Sequence, residues 1–360
     1  TSWLLPHHFL PWPSAYQEFL VFFAALMVIA KWVFLKNERI YLSNGFFVLG
    51  FLCVVLVVQF LFGTIYFFGD VVVVVLYFLL FFVAIVFGGS GRENSTNREC
   101  IALWLASTFV VGGLLSLFVA LRQWLLISNS IWETDFVGGR PFANIGQPNN
   151  FSTLLCLSVA SAFYLYERKK IGRFLSVLMA VLLIFGIALS QSRTPWVSIL
   201  LGVVFVCMKR PHIRLSKQAV VAWCFLYFFY VFSMPLLNSA LYLDAAGFAD
   251  RDSASARINI WLQLLTAIKS GDAFGYGWNQ VAAAQAMTAI THPVHVMVAH
   301  SHNILLDMLV WNGPFIGVMV LVFFFIWCIR IYRGSFCLES KFSLLSMLLI
   351  LVHGFLEFPL

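Results

Sequence analysis

Apolar residues gather in ten long runs, near residues 17–35, 46–68, 71–88, 100–121, 151–166, 174–190, 196–208, 219–234, 303–329 and 342–356. Short polar turns separate them, except for one long polar segment from about Asn238 to Ser301. Runs of this kind cross the roughly 30 Å hydrocarbon core of a bilayer as helices. Val71 to Val75 is a β-branched series that would favour a strand in water. Hydrocarbon requires backbone polar groups to pair within their own segment, so helix is predicted there too. The expected fold is an all-α polytopic membrane protein with about ten transmembrane helices, a single membrane domain over residues 1–360, and a large outer loop over residues 235–301. Within that loop Arg257 to Ile268 has apolar residues at helical spacing, with Ile258, Trp261, Leu262 and Leu265 on one face. This predicts an amphipathic helix on or near the membrane, with Ser253 and Ser255 as caps and its end by Gly271.

Composition strengthens the membrane assignment: hydrophobic residues make up 62% of the chain, charged residues 10%, and the mean hydropathy is +0.93. The basic residues give an orientation. Alternate loops hold Lys36 and Arg39, Arg92 and Arg98, Arg168 to Arg173, Lys209 to Lys217, and Arg330 to Lys341, together fifteen of the 22 Lys and Arg. That set is expected to be cytoplasmic. Strict alternation then places Thr1, Leu360 and seven of the eight histidines outside, with His212 the exception. The net charge of +7 follows largely from this bias and calls for no nucleic acid. The seven cysteines lie in spans or at cytoplasmic ends, which predicts no oxidised framework outside. No cleavable signal or lipidation motif is expected, and Thr1 in place of methionine makes a longer parent protein the expectation.

The outer segments carry the chemistry. Leu5 to Ser14 holds three prolines, His7, His8 and Trp12, a pattern that suits a headgroup-level loop. The segment from Gly138 to Phe151 combines glycines with Arg140, Asn144, Gln147, Asn149 and Asn150. It reads either as a plain loop or as donors and acceptors for sugar hydroxyls and phosphate oxygens. Arg193 is the only charge in the Gln191-to-Trp196 turn, where it either snorkels to headgroups or presents its planar fork to a phosphate.

Four histidines, His292, His295, His300 and His302, fall within eleven residues. Their spacing admits metal binding, although no cysteine joins them and the strict four-residue helical pair is absent. It equally admits a solvated histidine-rich loop, or a general acid or base beside a ligand. Asp307 shares a helical face with His300 and Asn303 inside a span, where an ionisable group is a functional candidate able to orient an imidazole.

Taken together, these segments resemble the O-antigen ligase superfamily, and within it the bacterial protein O-oligosaccharyltransferases that glycosylate pilins. The resemblance rests on seven pieces in order: the Pro6-His7-His8-Phe9-Leu10-Pro11-Trp12 opening, Ile145 to Asn150, Ser192-Arg193-Thr194, Arg257 followed by Trp261, Gly275-Tyr276-Gly277-Trp278-Asn279, His300 to Asn303, and His353 to Leu360. It implies a bacterial inner-membrane enzyme whose active site faces the periplasm. The implied donor is an oligosaccharide on undecaprenyl diphosphate, the implied acceptor a pilin-like protein, and neither cofactor nor metal is implied. Arg193, Arg257 and His302 take the family's catalytic positions on this resemblance. Gln147, Asn149, Asn150, Arg140, His300, Asn303 and Trp278 are expected at the substrate, and Asp307 and Glu357 in support. Gly313 matches a glycine that recurs ten residues after the motif asparagine, whereas Ile316 departs from the ligase pattern. The ending His353-x-x-x-Glu357-Phe358-Pro359-Leu360 leans toward the protein-modifying branch.

The chemistry suits these residue types. Fixed guanidinium groups would stabilise charge on a departing diphosphate, and His302 would either take the acceptor's proton or donate hydrogen bonds to the diphosphate. A groove between spans would admit the lipid tail. Rival readings are an O-antigen ligase acting on lipid A-core, an O-antigen polymerase, and a transporter or flippase. Against the last stand the outward clustering of the polar motifs and the expectation that no span is broken by paired glycine and proline at its centre.

Overall fold

The computed structural model describes residues 2–6, 8, 14–34, 44–127, 130–136, 139–208, 213–214, 216–241, 243, 253–294, 296–334 and 336–357, apart from the side chains of Arg92, Glu93, Lys217 and residues 253–256. The readings of His7, Trp12, Lys36, Arg39, Gly138, Lys209, Arg210, His212, His295 and residues 358–360 lie outside them, as do the cap roles of Ser253 and Ser255. Every regular element among the described residues is helical. After a 3-10 turn at Ser2–Leu4 come α1 (Ala15–Phe34), α2 (Gly45–Leu61), α3 (Phe68–Glu93), α4 (Ser95–Trp124), α5 (Pro148–Glu167), α6 (Arg173–Leu189), α7 (Thr194–Met208), α8 (Lys217–Ala240), α9 (Ser253–Ser270), α10 (Val281–Thr288), α11 (Ile304–Gly334) and α12 (Leu338–Leu356). Each of the ten apolar runs coincides with one helix, and α9 and α10 belong to the long polar segment.

Six of these helices, α1, α3, α4, α8, α11 and α12, are long and apolar enough to cross a membrane, and α2, α6 and α7 are shorter apolar helices. The tenth, α5, buries fifteen of its twenty residues. The chain is a multi-pass membrane protein. It divides into two compact units, residues 1–20, 99–250 and 335–353 in the first and residues 21–98, 251–334 and 354–360 in the second.

The first unit is built on α5, which packs against α6 and α7, while α6 packs against α8. Small residues set the spacing. A Cβ at Gly186 would come within 2.6 Å of Leu117 Cδ1 and 2.8 Å of Leu155 Cδ1, and one at Gly113 would strike Ser158. Small residues at such crossings let membrane helices approach closely.

The second unit packs Leu56 of α2, Phe78 of α3, Leu264 of α9, Val281 of α10 and Val310 of α11 into one core. Here α9 carries two apolar stripes. It buries Ile260, Gln263, Leu264 and Ala267, whereas Ile258, Leu262 and Leu265, on the face read from sequence as lying on or near the membrane, are 53%, 50% and 43% exposed. The buried stripe packs against α10 and α11.

A break lies in α11. Gly313 leaves the helical region with φ 73° and ψ 171°, and Pro314 follows it. The glycine–proline pair therefore breaks this helix in its first third, short of its centre. Proline has no N–H and a helix stopped at Gly313 cannot close its usual bonds, so the carbonyls of Val310 and Trp311 need other donors. The backbone N–H groups of Tyr276 and Gly277 supply them at 2.9 and 3.0 Å, and Gln59 Nε2 adds a second bond to Trp311 O at 2.8 Å. Gly275 makes this approach feasible, because its φ is +79° and a Cβ there would stand 2.7 Å from both carbonyl oxygens.

Candidate active site

In the second unit, the His300-Ser301-His302-Asn303 turn leads into α11. Asn303 is its N-cap: Oδ1 accepts from Leu305 N at 3.0 Å and from Leu306 N at 3.4 Å. The fully buried Ser301 anchors the turn. Its N–H donates to Asp307 Oδ1 at 2.8 Å, its hydroxyl to Asn303 O at 2.8 Å, and its carbonyl accepts from Trp261 Nε1 of α9 at 2.8 Å. Thus Asp307, itself fully buried, clamps the backbone between the two histidines, and its Oδ2 stands 3.8 Å from His300 Nδ1. His302 adopts φ 60°, a left-handed conformation uncommon for a residue with a side chain.

Arg257, in the first turns of α9, donates from Nη1 to Leu356 O at 2.8 Å and from Nη2 to Glu357 Oε2 at 2.9 Å. Both charges act on His302. Burial pushes its imidazole below the usual histidine range, the Arg257 guanidinium pushes it further down, and the Glu357 carboxylate partly offsets them. Burial, reinforced by neighbouring His302, pushes His300 down to about 4. Both rings are therefore held neutral near pH 7, a state in which an imidazole can accept a proton.

Trp278 belongs to the core of this unit. It is 8% exposed, meets Phe78 edge-on at 5.5 Å between ring centres, and lies tilted against Trp311 at 5.0 Å. His292 follows α10 in an exposed turn. Asp70 accepts from Gln280 Nε2 at 2.8 Å and so joins the α3 start to the segment after Trp278.

The first unit assembles a different group. Asn149 Oδ1 accepts both from Arg140 Nη2 at 3.1 Å and from Ser192 Oγ at 2.7 Å, while Arg140 Nε donates to Ser190 O at 2.9 Å. These bonds fix the turn between α6 and α7. Ser192 and Thr194 are buried at 2% and 4%, and Arg193 between them is exposed. Gln147 occupies the α5 N-cap position without a side-chain cap bond, and Asn150 is half-buried in the first turn. Asn144 is tied into the fold by bonds to Leu4 O, Trp132 O and Thr134 N. His353 shares a 2.8 Å hydrogen bond with Thr153 of α5 and is 1% exposed.

Two glutamines were not singled out from sequence. Gln59 serves the α11 break, and the fully buried Gln123 bonds to Phe142 N, Ala143 N and Ala143 O, holding the segment that carries Asn144. For Gln59 the available signal was a polar amide inside an apolar run.

Comparison with known proteins adds similarity in sequence. Residues 178–322 match the O-antigen ligase family. The general O-oligosaccharyltransferase of Acinetobacter baylyi is 30% identical over 370 aligned positions, covering 100% of this chain and 65% of the relative. The ComP-specific O-oligosaccharyltransferase of the same organism is 26% identical over 351, covering 96% of this chain and 63% of the relative. The chain thus spans just under two thirds of the length of these curated relatives. The family match covers the Ser192-Arg193-Thr194 turn, Arg257 and the His300-to-Asn303 turn, so over residues 178–322 the chain is similar to the O-antigen ligase family, and along its length to the two O-oligosaccharyltransferases.

Proposed function

We propose that this protein is a glycosyltransferase that moves an oligosaccharide en bloc from undecaprenyl diphosphate to a Ser or Thr hydroxyl of a pilin-like acceptor protein. The reaction would take place at the periplasmic face of a bacterial inner membrane. The observation that carries this reading is the cluster in the second unit, where a neutral, half-buried His302 lies in the field of the Arg257–Glu357 pair. Both named relatives are O-oligosaccharyltransferases, which favours a protein acceptor over lipid A-core or a second lipid-linked glycan.

In this mechanism the acceptor oxygen attacks the sugar C1 from the face opposite the phosphate. The C1–oxygen bond to phosphate breaks as the new glycosidic bond forms, so the anomeric configuration inverts. The hydroxyl proton passes to His302, and the bond pair leaves on the diphosphate lipid. Arg257 stabilises the charge that grows there, a role in which loss of a single donor commonly costs about 10² to 10³ in rate, and the resemblance gives Arg193 of the first unit the same role. Asp307, through Ser301, and Asn303, through its cap, hold His302 in place. Arg140, Asn149 and Ser192 hold the turn bearing Arg193, and the resemblance gives Gln147 and Asn150 of the first unit a part in binding the glycan or the diphosphate.

Glycopeptide mass spectrometry of envelope proteins from cells with and without the gene tests the proposal. The expected result is an oligosaccharide on Ser or Thr of a pilin-like protein only in cells carrying the gene, with transfer unaffected by excess chelator. Modification confined to lipopolysaccharide would instead assign the chain to the lipid A-core ligases.

A further inference from the structure

We propose that the first unit also binds an anionic diacyl phospholipid, in a crevice between α5, α6, α7 and α8, with the headgroup at Arg173 and Arg214. The crevice has a volume of about 950 Å³, near the top of the range of roughly 300–1,000 Å³ for small-molecule sites. Its walls are apolar, with Ile184 and Ile187 on α6, Val203 on α7, Phe225 on α8 and Leu349 on α12. Its polar groups are concentrated at one end: Arg173 and Ser176 at the start of α6, Tyr166 at the end of α5, and Arg214 and Ser216 just before α8.

Three features select a lipid. Along α6 the lining extends from Arg173 to Ile187, a rise of about 21 Å at 1.5 Å per residue. That exceeds the roughly 15 Å depth of one leaflet's hydrocarbon. The lips are open to the surroundings, since Phe225, Phe229 and Val177 line the crevice and are 73%, 56% and 41% exposed. The charge is complementary to a phosphate diester: both arginines are exposed at the polar end, and the Arg214 guanidinium lies over the Tyr166 ring at 5.0 Å. The Arg214 backbone N–H donates to both carboxylate oxygens of Glu167 at 3.1 and 3.0 Å, which fixes the segment ahead of α8.

This site is separate from the one proposed for the donor. Arg193 follows the C-terminal end of α6 and Arg173 begins it, so the two cationic centres lie at opposite ends of one helix. The occupant's headgroup therefore sits among the basic loops, in the leaflet opposite the diphosphate.

Native mass spectrometry of the delipidated, detergent-purified protein tests this, with titration by dioleoyl phosphatidylglycerol and, separately, dioleoyl phosphatidylethanolamine. One phosphatidylglycerol is expected to bind in preference to the zwitterionic lipid. Replacing both arginines (Arg173→Ala with Arg214→Ala) should weaken phosphatidylglycerol binding roughly thirtyfold and leave phosphatidylethanolamine unchanged. Gly202→Leu is the second variant. A Cβ there meets only Leu345 Cδ1, at 3.8 Å, so the larger side chain enters the crevice and should weaken both lipids. Equal binding of the two lipids by the wild type, or unchanged phosphatidylglycerol binding in both variants, would overturn the proposal. So would displacement of phosphatidylglycerol by undecaprenyl phosphate at a tenfold lower concentration, which would give the crevice to an isoprenoid.

Discussion

Arg257 donates to the Glu357 carboxylate at 2.9 Å and to the neighbouring Leu356 carbonyl at 2.8 Å, fastening the start of α9 to the end of α12 in the second unit. A guanidinium held by a single carboxylate oxygen and a carbonyl still has donors to offer a phosphate. The same pair biases His302 in opposite directions, Arg257 toward the neutral ring and Glu357 toward the protonated one.

The first prediction concerns pH. A base works when neutral, so activity is lost as pH falls through its value in the folded protein. That value is already depressed for His302, and the acidic limb of transfer should lie below the ordinary histidine range. Glu357→Gln removes the charge that raises it and should move the limb to lower pH. Arg257→Gln removes a charge that lowers it and should move the residual activity's limb upward. Transfer rates measured from pH 4 to 8 in the three proteins check both directions.

Asn303 is predicted to act through the helix it caps. Asn303→Ala should destabilise α11 by about 1 kcal/mol, and Asn303→Ser should restore most of it. Thermal unfolding in detergent and transfer rate, measured side by side, should fall together in the alanine variant and recover together in the serine variant.

The break in α11 predicts a larger effect. Gln59→Leu removes the acceptor of Trp278 N and the second of two donors to Trp311 O, and the buried N–H left unpaired costs about 1–3 kcal/mol. Gly275→Ala should be at least as damaging, because its Cβ meets two carbonyl oxygens and its φ is positive. Midpoints of thermal unfolding for both variants read these costs directly.

How much of this was legible in sequence follows from the period of each signal. The ten apolar runs are one-dimensional and came through as ten helices. In α9 the exposed stripe of Ile258, Leu262 and Leu265 was legible, whereas the stripe of Ile260, Leu264 and Ala267 that packs into the core was not, because only tertiary contacts mark it. Gly313 was visible as a motif residue, but its purpose was not. Its partners Gly275 and Gln59 are far away in the chain, and the link between them is a set of orphaned carbonyls that no local pattern encodes. Asn303 and Asp307 stood out as polar residues at the start of a span, and their geometry proved to be a cap and a backbone clamp.

In the first unit, Asn149 is predicted to position the Arg193 turn through a single acceptor atom, Oδ1, shared by Arg140 and Ser192. Asn149→Asp retains an acceptor there and should keep most of the transfer rate. Asn149→Leu should lower the rate at unchanged expression. Equal activity in the aspartate and leucine variants would remove the positioning role.

The central claim is that His302 takes the acceptor's proton. Its most direct test is the fraction of acceptor protein carrying glycan, read by intact mass in cells expressing wild type, His302→Ala or His300→Ala at equal protein level. The account predicts loss of roughly 10² to 10⁴ in transfer for His302→Ala, with glycosylation persisting in His300→Ala. Undiminished glycosylation in His302→Ala would contradict it.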